Sequence, residues 1–121
     1  MGEFDDIENK FQELEDGRYI VRIEGYKRES TINQTKPIRW DLKLMNDSPY
    51  ILPMKFSHIE TDAGFQILMR ELKQLGFSKP RSTREFEDVL SSLLGSIIEI
   101  NLVTTNEKEN YRDIRFVRRL Y

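Results

Sequence analysis

Apolar residues recur along this chain with two different periods, and the switches between them mark out its elements. At the start, Phe4, Ile7, Phe11 and Leu14 fall at helical spacing and form one stripe, which predicts an amphipathic helix over residues 1–16. Asp5 and Asp6 sit where the helix dipole favours acids, and Gly17 supplies a stop. From Arg18 the period becomes two. Tyr19, Val21 and Ile23 alternate with Arg18, Ile20, Arg22 and Glu24, the pattern of a half-buried strand. Residues 28–37 form a polar loop closed by Pro37. A second strand follows, with Ile38, Trp40, Leu42 and Leu44 on one side and Arg39, Asp41 and Lys43 on the other. Asn46-Asp47-Ser48-Pro49 has the composition of a turn. A third strand is expected from Tyr50 to His58, with Tyr50, Leu52, Met54 and Phe56 facing inward. Pro53 in its middle marks it as an edge or bulged strand.

Two helices come next. Thr61 can cap the first, whose apolar face is Phe65, Leu68, Met69, Leu72 and Leu75, and Gly76 ends it. Ser82 and Glu85 have capping-box spacing for the second. Phe86, Val89, Leu90, Leu93 and Leu94 form its face, and Gly95 ends it. Two more strands close the chain: Ile98, Ile100 and Leu102 alternate with Glu99 and Asn101, and Ile114 and Phe116 with Asp113 and Arg115. Residues 105–110 are a hydrophilic hairpin loop.

The expected fold is therefore mainly β with helices. It is a five-stranded Greek-key barrel of the oligonucleotide-binding type, with a two-helix insert between the third and fourth strands. The acidic N-terminal helix occupies residues 1–16 and the barrel domain residues 17–121. An α+β sheet carrying both helices on one face has the same element order and is the alternative.

Charge sharpens this picture. The 121 residues have a net charge of −2, yet residues 1–16 hold seven acids and one base, which leaves 14 acids and 18 bases in residues 17–121. The leader is −6 and the body +4, an acidic segment beside a mildly basic surface. The chain has no cysteine, so disulfides and thiolate metal sites are out. No apolar run approaches the length of a membrane span, and the acidic start is unlike a signal peptide; a cytosolic protein is expected.

Several stretches resemble a phage and mobile-element family of single-stranded-DNA-binding-like proteins, long catalogued as a domain of unknown function. Gly17-Arg18-Tyr19-Ile20-Val21-Arg22-Ile23 is similar to its opening strand, and Pro37-Ile38-Arg39-Trp40-Asp41-Leu42-Lys43-Leu44 to its second. Leu75-Gly76, Leu93-Leu94-Gly95, the strand 97–102, Asn110-Tyr111 and Phe116-Val117-Arg118-Arg119-Leu120 are similar to its closing half. The resemblance spans about residues 17–120. It implies a barrel that binds single-stranded DNA in phage or mobile-element replication or recombination.

Such binding needs cations along the phosphates and rings that stack on unpaired bases. The expected cations are Arg22, Arg39, Lys43 and Lys55 on the solvent phase of the strands, Arg28 and Lys36 beside the first loop, and Arg112 after the last. A solvated charged face is the plain alternative for each of them. Tyr26, on the solvent phase of the first strand, and Tyr111, where the last loop enters the final strand, are the expected stacking residues. Trp40 is a further candidate, although its phase with Ile38, Leu42 and Leu44 equally suits the core. Arg115, Arg118 and Arg119 could extend the phosphate track or blunt a strand edge. His58 is the only histidine. With Glu60 and Asp62 it makes a weak metal candidate, and no nucleophile motif or phosphate loop appears, so neither an enzyme nor a cofactor is expected. The expected partner is single-stranded DNA, with no membrane. A protein-interaction adaptor, serving a phage helicase or recombinase, is the second functional reading. An oligomer is compatible with both.

Overall fold

The computed structural model describes residues 14–46, 52–108 and 111–121. Its elements run β1 (Gly17–Arg28), β2 (Ile38–Leu44), β3 (Lys55–Ser57), α1 (Asp62–Gln74), α2 (Thr83–Ser92), β4 (Ile97–Asn106) and β5 (Tyr111–Arg119). The strands form one sheet in the order β3-β2-β1-β4-β5, antiparallel at every pairing. Leu68 and Leu72 of α1, Leu75 at its C-cap, Leu90 of α2 and Leu93 at its C-cap pack on Val21, Ile23, Trp40, Ile98, Ile100, Leu102, Ile114 and Phe116. The two described helices thus pack on one face of the sheet, the inner one.

The local signals decide where the helices begin and end. Thr61 Oγ1 accepts from the Gly64 N–H at 3.1 Å and Ser82 Oγ from the Glu85 N–H at 3.1 Å, each satisfying one orphan donor of a first turn. The Glu85 carboxylate reaches back to the Arg81 N–H at 2.7 Å, one residue short of the reciprocal capping box. At the far end of α1, Gly76 takes a φ of +97°. Its N–H meets the Lys73 carbonyl, and the Phe77 N–H meets that of Leu72, both at 3.0 Å. That is the Schellman pattern, which needs a left-handed residue at the glycine position.

Three expectations are corrected. The first concerns closure: the sheet is not a closed barrel, and no ladder joins β3 to β5 among the described residues. Side chains span that seam instead. The Lys55 ammonium donates to the Ile114 carbonyl at 2.6 Å and lies 3.0 Å from Glu71 Oε2. Glu71 Oε2 in turn accepts from the Phe116 N–H at 2.8 Å. Two β5 backbone groups that a neighbouring strand would otherwise serve are satisfied by one ion pair. The two edges of the sheet therefore lie within the reach of a lysine side chain.

The second correction is the phase of β3. Lys55 and Ser57 point inward, at 4% and 5% exposure, and Met54 is 60% exposed. Lys55, expected among the solvent-facing cations, is buried over the Phe116 ring, 4.8 Å from its centroid. The inversion is chemically consistent, because each buried polar group has a partner: Glu71 serves Lys55, and Ser57 Oγ accepts from Trp40 Nε1 at 2.9 Å. Tyr50 lies outside the described residues.

Third, the register of β1 against β2 shifts between Ile23 and Gly25. Before this bulge Ile23 is opposite Leu42; after it Tyr26 is opposite Trp40. One extra residue reverses the alternation. Tyr26, expected on the solvent side, therefore joins the inner face, 5.8 Å from the Trp40 ring. Trp40 meets Phe116 edge-on at 5.2 Å and is 3% exposed, so it is a core residue with no ring face free for a base.

The expected N-terminal helix lies outside the described residues apart from Leu14, Glu15 and Asp16. Leu14 is buried. The Asp16 carboxylate accepts from the Thr104 N–H at 2.9 Å, the Thr104 hydroxyl at 3.0 Å and Arg112 Nη2 at 3.1 Å. The Arg112 hydrogen bond first, then that of the Thr104 N–H, holds this carboxyl below its ordinary range. A group whose pKa is depressed by folding stabilises the fold above its unfolded pKa, and that contribution is lost as pH falls through the folded value. Asp16→Asn is therefore expected to lower the thermal midpoint near neutral pH. The gap between variant and parent should close as both are titrated from about pH 6 to about pH 3. A constant gap over that range would show that the carboxylate charge is not what Thr104 and Arg112 hold.

Candidate nucleic-acid interface

Pairing across the strands sets the outer face residue by residue. Opposed partners share a face, so the register places Phe56 of β3, Arg39 of β2 and Lys27 of β1 in one row. A second row runs from Lys43 of β2 through Arg22 of β1 to Ile97 of β4. Gly25 and Asp41 lie between the two rows. The face thus carries two directly opposed cation pairs, Lys27 with Arg39 and Lys43 with Arg22.

Carboxylates partly neutralise it. Arg22 grips Glu24 Oε1 through Nε at 3.0 Å and Nη2 at 2.6 Å. Arg39 donates to Glu29 Oε2 at 2.8 Å and lies 3.6 Å from Asp41, which leaves only 19% of its side chain exposed. Lys27 and Lys43 are exposed and make no ion pair among the described residues. They are the two exposed ammonium groups of the face without an ion pair among the described residues, one in each row.

The remaining expected residues scatter. Arg28 and Lys36 lie at the end of β1 farthest from the β4–β5 hairpin. There Arg28 fastens the first loop, donating to the Lys36 carbonyl at 2.6 and 2.9 Å and to Glu60 Oε1 at 3.1 Å. The Lys36 N–H meets the same Glu60 oxygen at 3.0 Å. Tyr111 is 61% exposed but sits opposite Asn106, at the other end of the sheet. Arg112 beside it is engaged with Asp16, its side chain only 9% exposed, and is no free phosphate ligand. Arg118 pairs with Glu99 at 3.1 Å, and Arg119 lies 5.0 Å over the Phe77 ring. The structure therefore brings together Arg22, Arg39 and Lys43, and keeps Trp40, Lys55 and Tyr26 off that surface.

Lys27 and Phe56 were missed as members of the face. Both follow from phase: Phe56 from the inversion of β3, Lys27 from the bulge. A glycine inside a strand pattern, Gly25 here, is the available signal for a bulge. No group of three or more metal-ligating side chains occurs among the described residues, and no described helix is long and apolar enough to cross a membrane. No family model matches the chain, and no curated protein matches it.

Proposed function

We propose that this chain binds single-stranded DNA with little sequence preference, as a module of phage or mobile-element DNA replication or recombination. In this reading the sheet follows the plan of the oligonucleotide-binding Greek-key barrel, which is itself partly open. The strand order β3-β2-β1-β4-β5 with both helices between β3 and β4 supports it, as does the side-chain bridge between the two edge strands.

The observation that carries the reading is the pair of opposed cation rows. Like charges directly across a sheet repel and destabilise it, and a polyanion lying across β2 and β1 would relieve that repulsion. Stacking on this face would fall to Phe56, half-buried at the end of the Lys27–Arg39 row. A second reading, a protein-interaction adaptor for a helicase or recombinase, is favoured by the carboxylates that already occupy Arg22 and Arg39.

The test is an anisotropy titration with labelled oligo-dT, oligo-rU and duplex DNA at low and moderate salt. Oligo-dT is expected to bind more tightly than the duplex, with affinity falling steeply with salt. Lys27→Glu combined with Lys43→Glu should weaken binding about tenfold and flatten the log–log salt slope by roughly 0.7 for each phosphate that is no longer neutralised. With Trp40 buried, its emission is a poor reporter. Absence of oligo-dT binding at low salt would remove the first reading and leave the adaptor, to be sought by pull-down from the host.

A further inference from the structure

At the Arg28 end of the sheet, an open cavity of about 640 Å³ lies between β1, the start of α1 and α2. Its floor is aliphatic, formed by Ile38, Ile59 and Leu90, and three rings, Tyr26, Phe65 and Phe86, wall it. The rings are held in place. Phe65 and Phe86 pack at 6.0 Å, while Tyr26 rests on Trp40 and its hydroxyl bonds Ser91 Oγ at 3.2 Å. A pre-formed apolar hollow of this size, lined by fixed rings, is the usual form of a small-molecule site.

The rim supplies the charge. Lys27, Arg28 and Arg81 stand around the mouth; Glu87 is the one carboxylate among the lining residues, and Glu60 behind the rim forms its ion pair with Arg28. Neither Lys27 nor Arg81 makes a side-chain ion pair among the described residues. Lys27 also belongs to the outer-face row with Arg39, so the mouth of the cavity adjoins the cationic face.

We propose that this cavity is a nucleotide site: it takes one unstacked base between its rings and holds the attached phosphate at the Lys27, Arg28 and Arg81 rim. Rings and cations together fit a flat, partly apolar group that carries an anion. A neutral lipid or sugar would leave the rim unused, and an inorganic anion would leave the rings unused. That the base belongs to a bound DNA strand rests on the function proposed above; the site itself does not.

The test uses a fluorescent base as reporter. The probes are 2-aminopurine deoxyriboside 5′-monophosphate, the same nucleoside without phosphate, and oligo-dT carrying one internal 2-aminopurine. The variants are Thr83→Trp, which puts a bulky ring into the cavity from an exposed position on its lip, and Arg81→Glu. Thermal melts are run on both, because a folded variant is required for the comparison. The monophosphate is expected to bind with quenched emission, about tenfold more tightly than the nucleoside, and Thr83→Trp should weaken it about tenfold or more. Arg81→Glu should remove the preference for the phosphate while leaving nucleoside binding unchanged.

Should the oligonucleotide bind while the monophosphate does not, or should both probes bind Thr83→Trp as they bind the parent, the cavity proposal is overturned and the strand-binding function stands. Monophosphate binding without oligonucleotide binding would uphold the cavity for a free nucleotide and overturn the strand function. Failure of both probes overturns both. If Thr83→Trp melts far below the parent, Arg81→Glu decides alone through the loss of phosphate preference.

Discussion

Lys55→Met is expected to destabilise the protein by about 3–5 kcal/mol, the cost of leaving one member of a buried ion pair without its partner. The Lys55 and Glu71 side chains are 4% and 6% exposed, so water cannot take the place of the lost ammonium. The substitution strands the Glu71 carboxylate and also removes the donor to the Ile114 carbonyl. Glu71→Leu should cost a similar amount, since it isolates the lysine and orphans the Phe116 N–H. A domain of this size has a total stability of about 5–15 kcal/mol, so either variant is expected to unfold at far lower urea than the parent.

The double variant Lys55→Met with Glu71→Leu separates charge from hydrogen bonding. It removes both buried charges together, and replacing such a pair by apolar side chains is often neutral or favourable. Here the Ile114 carbonyl and the Phe116 N–H still lose their partners, each at about 1–3 kcal/mol. The double variant should therefore be less destabilised than the sum of the singles, yet less stable than the parent. Urea unfolding of the four proteins gives the coupling directly. Additive losses, or singles within about 0.5 kcal/mol of the parent, would mean that the pair does not hold the β3–β5 seam.

This pair also explains where the sequence stopped being legible. β1, β2, β4, β5 and both helices follow from local information: period-two alternation, Thr61 and Ser82 at the caps, and Gly76 at a helix end. Those signals act within a few residues of where they stand. β3 has three residues, too few to set a phase, and its inward lysine is made tolerable by a carboxylate 16 positions away. A polar residue reads as solvent-facing unless its partner is known, so Lys55 pointed the wrong way and carried Met54 and Phe56 with it. The same limit applies to Arg112, which looks like a free cation until Asp16 folds back from the far end of the chain. At the outer face, Arg22, Arg39 and Lys43 were readable because their strands alternate regularly there. Beyond the bulge between Ile23 and Gly25 the alternation reversed, which moved Tyr26 from its expected solvent side to the inner face and put Lys27 on the outer one. The cavity was not readable at all, since Tyr26, Ile59, Phe65 and Phe86 come from four separate segments, and only Phe65 and Phe86 had ordinary core spacing.

Gly64→Ala is expected to cost about 2–4 kcal/mol, although alanine is the better helix former by about 1 kcal/mol. Gly64 is in the first turn of α1, which doubles back over the end of β3. A methyl group built there would overlap the His58 carbonyl oxygen and lie 3.0 Å from its carbon. Both are backbone atoms, so no rotamer change relieves the overlap; the 58–64 turn must open or α1 must move. Movement of α1 would be felt further on, because Glu71 on the same helix must stay within hydrogen-bond reach of Phe116 and Lys55. Gly64→Ala and Glu71→Leu should accordingly be non-additive, with the glycine substitution costing less once Glu71 is already gone. Ala63→Gly is the control for propensity: it is exposed in the same turn and should lower stability by only about 1 kcal/mol. A urea midpoint for Gly64→Ala equal to or above that of the parent would mean that the turn yields freely, and that the position of α1 over β3 does not depend on the missing side chain.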